Sequence, residues 1–138
     1  MLYPATLEKA AEGGYIVTFR DIPEAITQGD DLNEALEMAA DALLTAMAFY
    51  FEDGRQVPAP SKPLKGERLV ALPVSAWAKV LLLNEFVAQK VSAAEISRKI
   101  GMTPQNFNRV MDINHATKID TINQALGAFG KHLQISVA

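Results

Sequence analysis

The hydrophobic pattern at the start of the chain alternates with a period of two, which is typical of β-strands. Residues 15–23 alternate from Tyr15 onwards and are rich in β-branched and aromatic types. Residues 1–7 form a shorter apolar segment, and the intervening residues 8–14 end in a glycine pair that favours a turn. The pattern predicts an antiparallel hairpin, followed at residues 24–29 by a short extended segment.

Helical spacing begins after Asp31, which fits the N-cap of a capping box. From there apolar residues recur three and four apart and predict a helix to about residue 52. Three prolines in residues 55–66 predict an irregular connector, and residues 67–74 predict a strand that returns to the sheet. The order β-β-α-β over residues 1–74 predicts a compact first domain of the α+β class.

From Ser75 the pattern turns helical, and residues 75–138 predict a second, all-α domain. Its first helix is expected at residues 75–89, with core candidates Trp77, Val80, Leu81, Leu83, Phe86 and Val87. A later helix is predicted from Ile119 to Phe129. The alternating tail, residues 132–138, predicts either a strand or a contact between two copies of the chain.

Residues 92–112 predict two short helices joined by a tight turn, the helix-turn-helix layout that places one helix in the DNA major groove. Gly101 fits the left-handed residue that ends a helix. Thr103 fits the N-cap of the next helix, and Pro104 then occupies its first position, where a missing N–H costs nothing. Apolar residues recur at helical spacing on the inner side: Ile96, Ile100, Phe107, Val110 and Met111.

The outward positions of the second short helix carry side chains that can contact base edges. Gln105 can pair with the N6 and N7 atoms of adenine, and Arg109 with O6 and N7 of guanine or with a phosphate. Asn106 and Asn108 can make either kind of contact. These four residues predict a DNA-reading surface.

Phosphate contacts are predicted from a second group of residues beside this surface: Arg98, Lys99, Thr103 and Lys118. Such contacts position a protein on DNA without specifying sequence. A solvated helix face explains Arg98 or Lys99 equally well.

Charge divides the chain between the two predicted domains. Residues 1–74 hold 6 Lys/Arg and 12 Asp/Glu, a net charge of −6, whereas residues 75–138 hold 7 and 4, a net charge of +3. The acidic half suits a basic partner and the basic half suits phosphates.

Several classes of protein are disfavoured by the composition. The chain has no cysteine, which excludes disulfides and thiolate metal sites. The start of the chain does not resemble a signal peptide, and no apolar run reaches the roughly 18 residues of a membrane span. A soluble cytoplasmic protein is expected.

Catalytic chemistry is not indicated. His115 and His132 lack carboxylates at metal-ligand spacing, and lone histidines of this kind are usually structural or exposed. Asp21 and Glu24 can be interpreted as paired acids, but a metal-dependent nuclease needs several converging carboxylates. We expect no enzymatic activity, no catalytic or metal site and no cofactor.

Three segments of the first half carry a resemblance to a known family: GGYIVTF, DIPEAITQG and NEALEMAADAL. Over about residues 1–74 the chain resembles the N-terminal domain of HicB antitoxins. Together with a Cro/phage-repressor-like helix-turn-helix, the resemblance covers essentially the whole chain. It implies that the first domain has a partial RNase H-like fold without nuclease activity.

The resemblance also implies partners. The first domain would bind and neutralise a HicA-type toxin, a small basic mRNA-cleaving ribonuclease. The second domain would bind operator DNA as a homodimer or tetramer and repress the chain's own operon.

Residues within the family's strongest motif are the expected toxin-binding positions: Tyr15, Asp21, Pro23 and Glu24. Tyr15 and Pro23 fit a purely structural role equally well. In the second domain, Ala93 and Pro104 stand where related repressors often have glutamine, so base contacts are expected to begin at Gln105.

Two other functions remain open from the sequence. One is a ligand-responsive helix-turn-helix transcriptional regulator whose first domain binds a small molecule. The other is a degenerate RNase H-type nuclease, which would cleave RNA alone with a divalent metal.

Overall fold

The computed structural model describes residues 1–138 and contains four strands and five helices. The strands are β1 (Leu2–Lys9), β2 (Tyr15–Phe19), β3 (Ile26–Gly29) and β4 (Arg68–Ala71). The helices are α1 (Leu32–Asp53), α2 (Val74–Gln89), α3 (Ala93–Lys99), α4 (Pro104–Val110) and α5 (Ile119–Gly127). The predicted α+β class is confirmed, and no helix has both the length and the apolar character of a membrane span.

The strands form one antiparallel sheet in the order β3-β2-β1-β4. The predicted hairpin is confirmed, since β1 pairs with β2 from Ala5 opposite Phe19 to Lys9 opposite Tyr15. Tyr3 pairs with Val70 of β4. The pairs Tyr3–Val70 and Ala5–Phe19 lie on the same face of the sheet. Tyr3, Ala5, Phe19 and Val70 are buried there, so this face forms the core.

The predicted order β-β-α-β is wrong by one strand. Residues 24–29, expected only as an extended segment, contain β3, which pairs with β2 from Tyr15 opposite Gly29 to Thr18 opposite Ile26. A turn closed by the Ala25 N–H on the Ile22 carbonyl sends the chain back along β2. Four residues are too few to show an alternating pattern, which is why the sequence did not reveal a strand.

Helix α1 begins as predicted at Asp31, whose carboxylate accepts a hydrogen bond from the Glu34 backbone N–H at 2.8 Å. One side of the helix is buried at helical spacing: Ala35, Ala39, Leu43, Ala46, Met47 and Tyr50. Gly29, at the end of β3, lies directly against the α1 backbone at Ala35. No space remains there for a Cβ atom.

The chain divides into two compact units. The sheet unit comprises Met1–Phe49 and Pro58–Pro73, and the helical unit comprises Tyr50–Val57 and Val74–Ala138. The segment Tyr50–Val57 therefore groups with the helical unit, although it precedes the predicted boundary at residue 74. Within that unit the side-chain amide of Asn84 bonds both the N–H and the carbonyl of Val57, at 2.8 and 3.2 Å.

The helical unit has an apolar core shared by α2, α4 and α5: Ala78, Leu82, Val110, Ile122, Ala125 and Leu126. Trp77, predicted as a core residue, is 39% exposed, and Lys79 is buried instead. The tail at residues 132–138 forms no strand, so that alternative of the sequence prediction is wrong.

Candidate functional sites

Helices α3 and α4 are joined by a turn that the local sequence determines. The Ser92 hydroxyl caps α3 by accepting from the Glu95 N–H, and the Thr103 hydroxyl caps α4 by accepting from the Asn106 N–H, both at 3.1 Å. Gly101 has a φ of +66° between them, as predicted. The inner side of the pair packs on a second core cluster of Ile96, Phe107 and Ala128. The pair is therefore a rigid support for whatever α4 presents outward.

Four polar residues of α4 are exposed, as expected: Gln105, Asn106, Asn108 and Arg109. Successive helical residues are about 100° apart, so Gln105 and Arg109 lie one turn apart on the side opposite buried Phe107. Asn106 and Asn108 flank them on either side. The Arg109 guanidinium donates to the Asn106 side-chain oxygen at 3.4 Å. We call these four residues the α4 row.

The predicted phosphate contacts are exposed residues of the same unit. Arg98 lies in the last turn of α3, and Lys118 is the N-cap residue of α5 without using its side chain as a cap. The Thr103 hydroxyl oxygen accepts the capping bond, which leaves its proton available to donate. Lys99 is likewise exposed in the last turn of α3, so all four candidates lie at helix ends.

The four expected toxin-binding residues do not lie together. Tyr15 begins β2 and pairs with Lys9 and Gly29, whereas Asp21 follows the opposite end of that strand. Pro23 and Glu24 are exposed in the turn beyond Asp21. The sheet therefore separates Tyr15 from the other three by the length of β2.

Asp21 is held by Ser61, 40 residues later in the chain. Its carboxylate accepts from the Ser61 hydroxyl at 2.6 Å and from the Ser61 N–H at 2.8 Å. Burial opposes ionisation of Asp21, but these two hydrogen bonds and the charge of Arg20 outweigh it and lower the pKa. The neighbouring Arg20 pairs with the Glu67 carboxylate at 3.0 Å. Asp21 thus anchors the connector to the sheet.

An apolar depression beside Glu24 was missed by the sequence analysis. It is lined by the side chains of β3 and the outer side of α1, including Ile26, Met38 and Phe49. These three side chains are 64%, 40% and 47% exposed, and Glu24 and Asp41 lie among them. The residues are distant in sequence, so no local pattern could have grouped them. We call this surface the apolar depression.

Comparison with known proteins decides the family. A family model described as a HicB-like antitoxin of bacterial toxin-antitoxin systems matches residues 2–81. The chain belongs to the HicB antitoxin family. It is 52% identical to Antitoxin HicB 2 of Photorhabdus laumondii over 98% of this chain and 95% of the relative. It is 47% identical to Antitoxin HicB of Escherichia coli K12 over 98% of each chain.

The similarity extends through both units of this HicB-family antitoxin. Antitoxin HicB 1 of Photorhabdus laumondii is 48% identical over 99% of this chain and 87% of its own length. The helical unit is therefore part of what the relatives share, although the family model ends within α2. The predicted identification as an antitoxin of a toxin-antitoxin system is confirmed.

Lys79 is a further feature of the antitoxin that the sequence analysis missed. Its ammonium donates to three backbone carbonyls, those of Arg109, Asp112 and His115. Ala76, Lys79 and Leu83 are spaced as one helical stripe and all three are buried, but the sequence alone does not show that this stripe faces inward. A lysine on a buried stripe indicates a specific partner.

The Asp21 anchor predicts a pH dependence of the antitoxin's stability. Because the folded-state pKa lies below the ordinary value of 3.8, the carboxylate stabilises the fold above about pH 4. This stabilisation is lost as pH falls through the lower, folded-state pKa. Asp21→Asn should therefore be less stable than wild type in urea unfolding at pH 7, and the difference should shrink as the pH falls below about 4.

Glu12→Gln is the matched control, because it removes an exposed carboxylate of the hairpin turn. It should have little effect at either pH. A deficit of Asp21→Asn that stays constant from pH 7 to pH 3 would contradict the anchoring role.

Proposed function

We propose that this antitoxin neutralises a HicA-type mRNA-cleaving toxin through its sheet unit and represses its own operon through its helical unit. Similarity to named HicB antitoxins over 98–99% of the chain is the observation that carries the proposal. The sheet unit would then be a partial RNase H-like fold without nuclease activity. The helical unit would be a Cro-like helix-turn-helix domain.

Charge supports the division of labour. The sheet unit holds 5 Lys/Arg and 10 Asp/Glu, a net charge of −5, and the helical unit has a net charge of +2. A ribonuclease that binds RNA presents a basic surface, so an acidic partner accelerates its capture. The apolar depression supplies buried contacts that hold the complex once it has formed.

The α4 row supports operator binding. Its four polar side chains are exposed on a helix whose N-terminus is capped and whose inner side is fixed by Phe107 and Val110. Glutamine, asparagine and arginine are the side chains that pair with base edges in the major groove. Arg98, Thr103 and Lys118 would supply the phosphate contacts that fix the register.

A homodimer or tetramer completes the proposal. A dimer places two recognition helices about one DNA turn apart, roughly 34 Å, on a palindromic operator. The partners are then a toxin protein, double-stranded operator DNA and further copies of the chain.

Removal of one predicted base contact should weaken operator binding selectively. Arg109→Ala is expected to lower affinity for the DNA upstream of the chain's gene by about tenfold at fixed salt. Fluorescence anisotropy with a labelled duplex measures the change. Lys131→Ala is the control, because it removes a positive charge beyond α5, outside the α4 row. Equal losses for the two variants would mean that Arg109 contributes only charge.

A charge reversal can locate the toxin-binding end of the sheet. Glu24→Lys, beside the apolar depression, should slow association with the toxin about tenfold and reduce the salt dependence of the rate. Glu12→Lys makes the same charge change in the hairpin turn near Tyr15 and should have little effect. Stopped-flow association gives both rates. The opposite order would place the toxin at the Tyr15 end.

A further inference from the structure

Lys79 is the only charged residue that is buried as a whole, with 2% of its surface exposed. Its Nζ donates to the carbonyl oxygens of Arg109, Asp112 and His115 at 3.3, 2.7 and 2.6 Å. An ammonium group has three N–H donors, and all three are used here. No buried carboxylate neutralises the charge, so the carbonyls themselves are its partners.

The three acceptors follow the chain out of α4. Arg109 lies in its last turn, and Asp112 and His115 lie in the loop that leads to α5. The last carbonyls of a helix lack intrahelical partners and carry partial negative charge, which a cation stabilises. Burial lowers the pKa of Lys79, and the Asp112 carboxylate opposes that shift. The contact therefore joins α2 to the end of α4 and to the loop.

We propose that Lys79 is a positioning residue for DNA binding, because it fixes the C-terminal end of α4 and the loop up to His115. The inference rests on the proposed operator binding by the α4 row. Helix α4 has only seven residues and two buried anchors, Phe107 and Val110. Without the ammonium, the turn that carries Arg109 has no polar tether to α2.

The geometry of the contact requires an ammonium group. Methionine is also unbranched, is one heavy atom shorter, and donates no hydrogen bonds. Arginine keeps the charge, but its donors lie in a planar fork and cannot converge from one atom on three carbonyls. Glutamine keeps two donors on a shorter side chain. Affinity for DNA is therefore expected to fall in the order wild type, Lys79→Gln, Lys79→Met. Lys79→Arg, although it keeps the charge, should not reach the affinity of wild type.

The test measures binding of the full chain to a duplex taken from immediately upstream of its own gene. Lys79→Met should lose about tenfold or more in affinity at 20 °C. Hydrogen exchange should accelerate at the amides of Asp112 and His115. Two controls accompany it. Val80→Ala removes buried methyl groups from the same helix, and Lys131→Met removes a lysine charge outside the contact.

Both controls should bind like wild type at a temperature where each remains folded. Equal affinity of Lys79→Met and wild type overturns the positioning role and leaves operator binding intact. A loss by Val80→Ala as large as that of Lys79→Met also overturns the role, because stability alone would then explain it. A wild-type chain that binds no duplex overturns the proposed operator binding as well. If Lys79→Met does not fold, Lys79→Gln provides the same comparison.

Discussion

Phe107→Ala is expected to destabilise the helical unit by about 3–5 kcal/mol, the usual cost of deleting a buried aromatic ring. Phe107 is 1% exposed and packs with Ile96 of α3 and with Ala128, which directly follows α5. Its ring also contacts that of Phe86, with centroids 5.8 Å apart and planes tilted by 46°. Deletion leaves a cavity between these elements, so α4 loses its support and operator binding should be lost with it.

Trp77 provides a local signal for this measurement, because it is the chain's one tryptophan and lies in the helical unit. Urea unfolding followed by its fluorescence gives the change in the free energy of unfolding. Asn108→Ala is the control at the neighbouring exposed position and should stay within about 0.5 kcal/mol of wild type. A Phe107→Ala protein within about 1 kcal/mol of wild type would show that the ring does not organise the core.

Gly29→Ala should have a comparable effect on the sheet unit, with a loss of about 3 kcal/mol. A Cβ at this position would overlap the backbone of α1 at Ala35. A side chain could relieve such an overlap by changing its rotamer, but a backbone cannot. Either β3 must separate from β2 or α1 must move away from the sheet. Both changes disturb the apolar depression, so toxin binding should weaken together with stability.

Hydrogen exchange of the β2 amides reports the stability of this unit separately from the helices. Gly127→Ala is the matched control, because its Cβ would point into open space on a helix. That substitution should be neutral or stabilise the helical unit by about 0.5–1 kcal/mol. Exchange rates of β2 in Gly29→Ala that equal those of wild type would show that the contact with α1 can relax without cost.

Features set by local chemistry were predictable from the sequence. The β1–β2 hairpin follows from alternation around a glycine pair, and the start of α1 follows from the cap at Asp31. The turn between α3 and α4 follows from Gly101 and Thr103, whose conformations depend on neighbouring residues only. The outward direction of the α4 row then follows from helical geometry.

Features set by distant contacts were not predictable. The hydrogen bonds of Asp21 to Ser61, 40 residues later in the chain, were not foreseen, and its role in toxin binding stays a prediction. Trp77 was expected in the core of the helical unit but is exposed. Lys79 is buried instead, and its hydrogen-bond acceptors lie 30 to 36 residues later in the chain. The apolar depression combines β3 with α1, and β3 itself is held as a strand by pairing with β2.

The central claim is that toxin neutralisation and operator binding belong to different units of one chain. The most direct measurement is growth of cells that produce the small basic protein encoded next to this chain, with each antitoxin variant supplied in turn. The full chain and its Gln105→Ala/Arg109→Ala variant should restore growth equally, and Glu24→Lys/Asp41→Lys should restore it poorly. Loss of rescue by the Gln105→Ala/Arg109→Ala variant, with full rescue by Glu24→Lys/Asp41→Lys, would contradict the account.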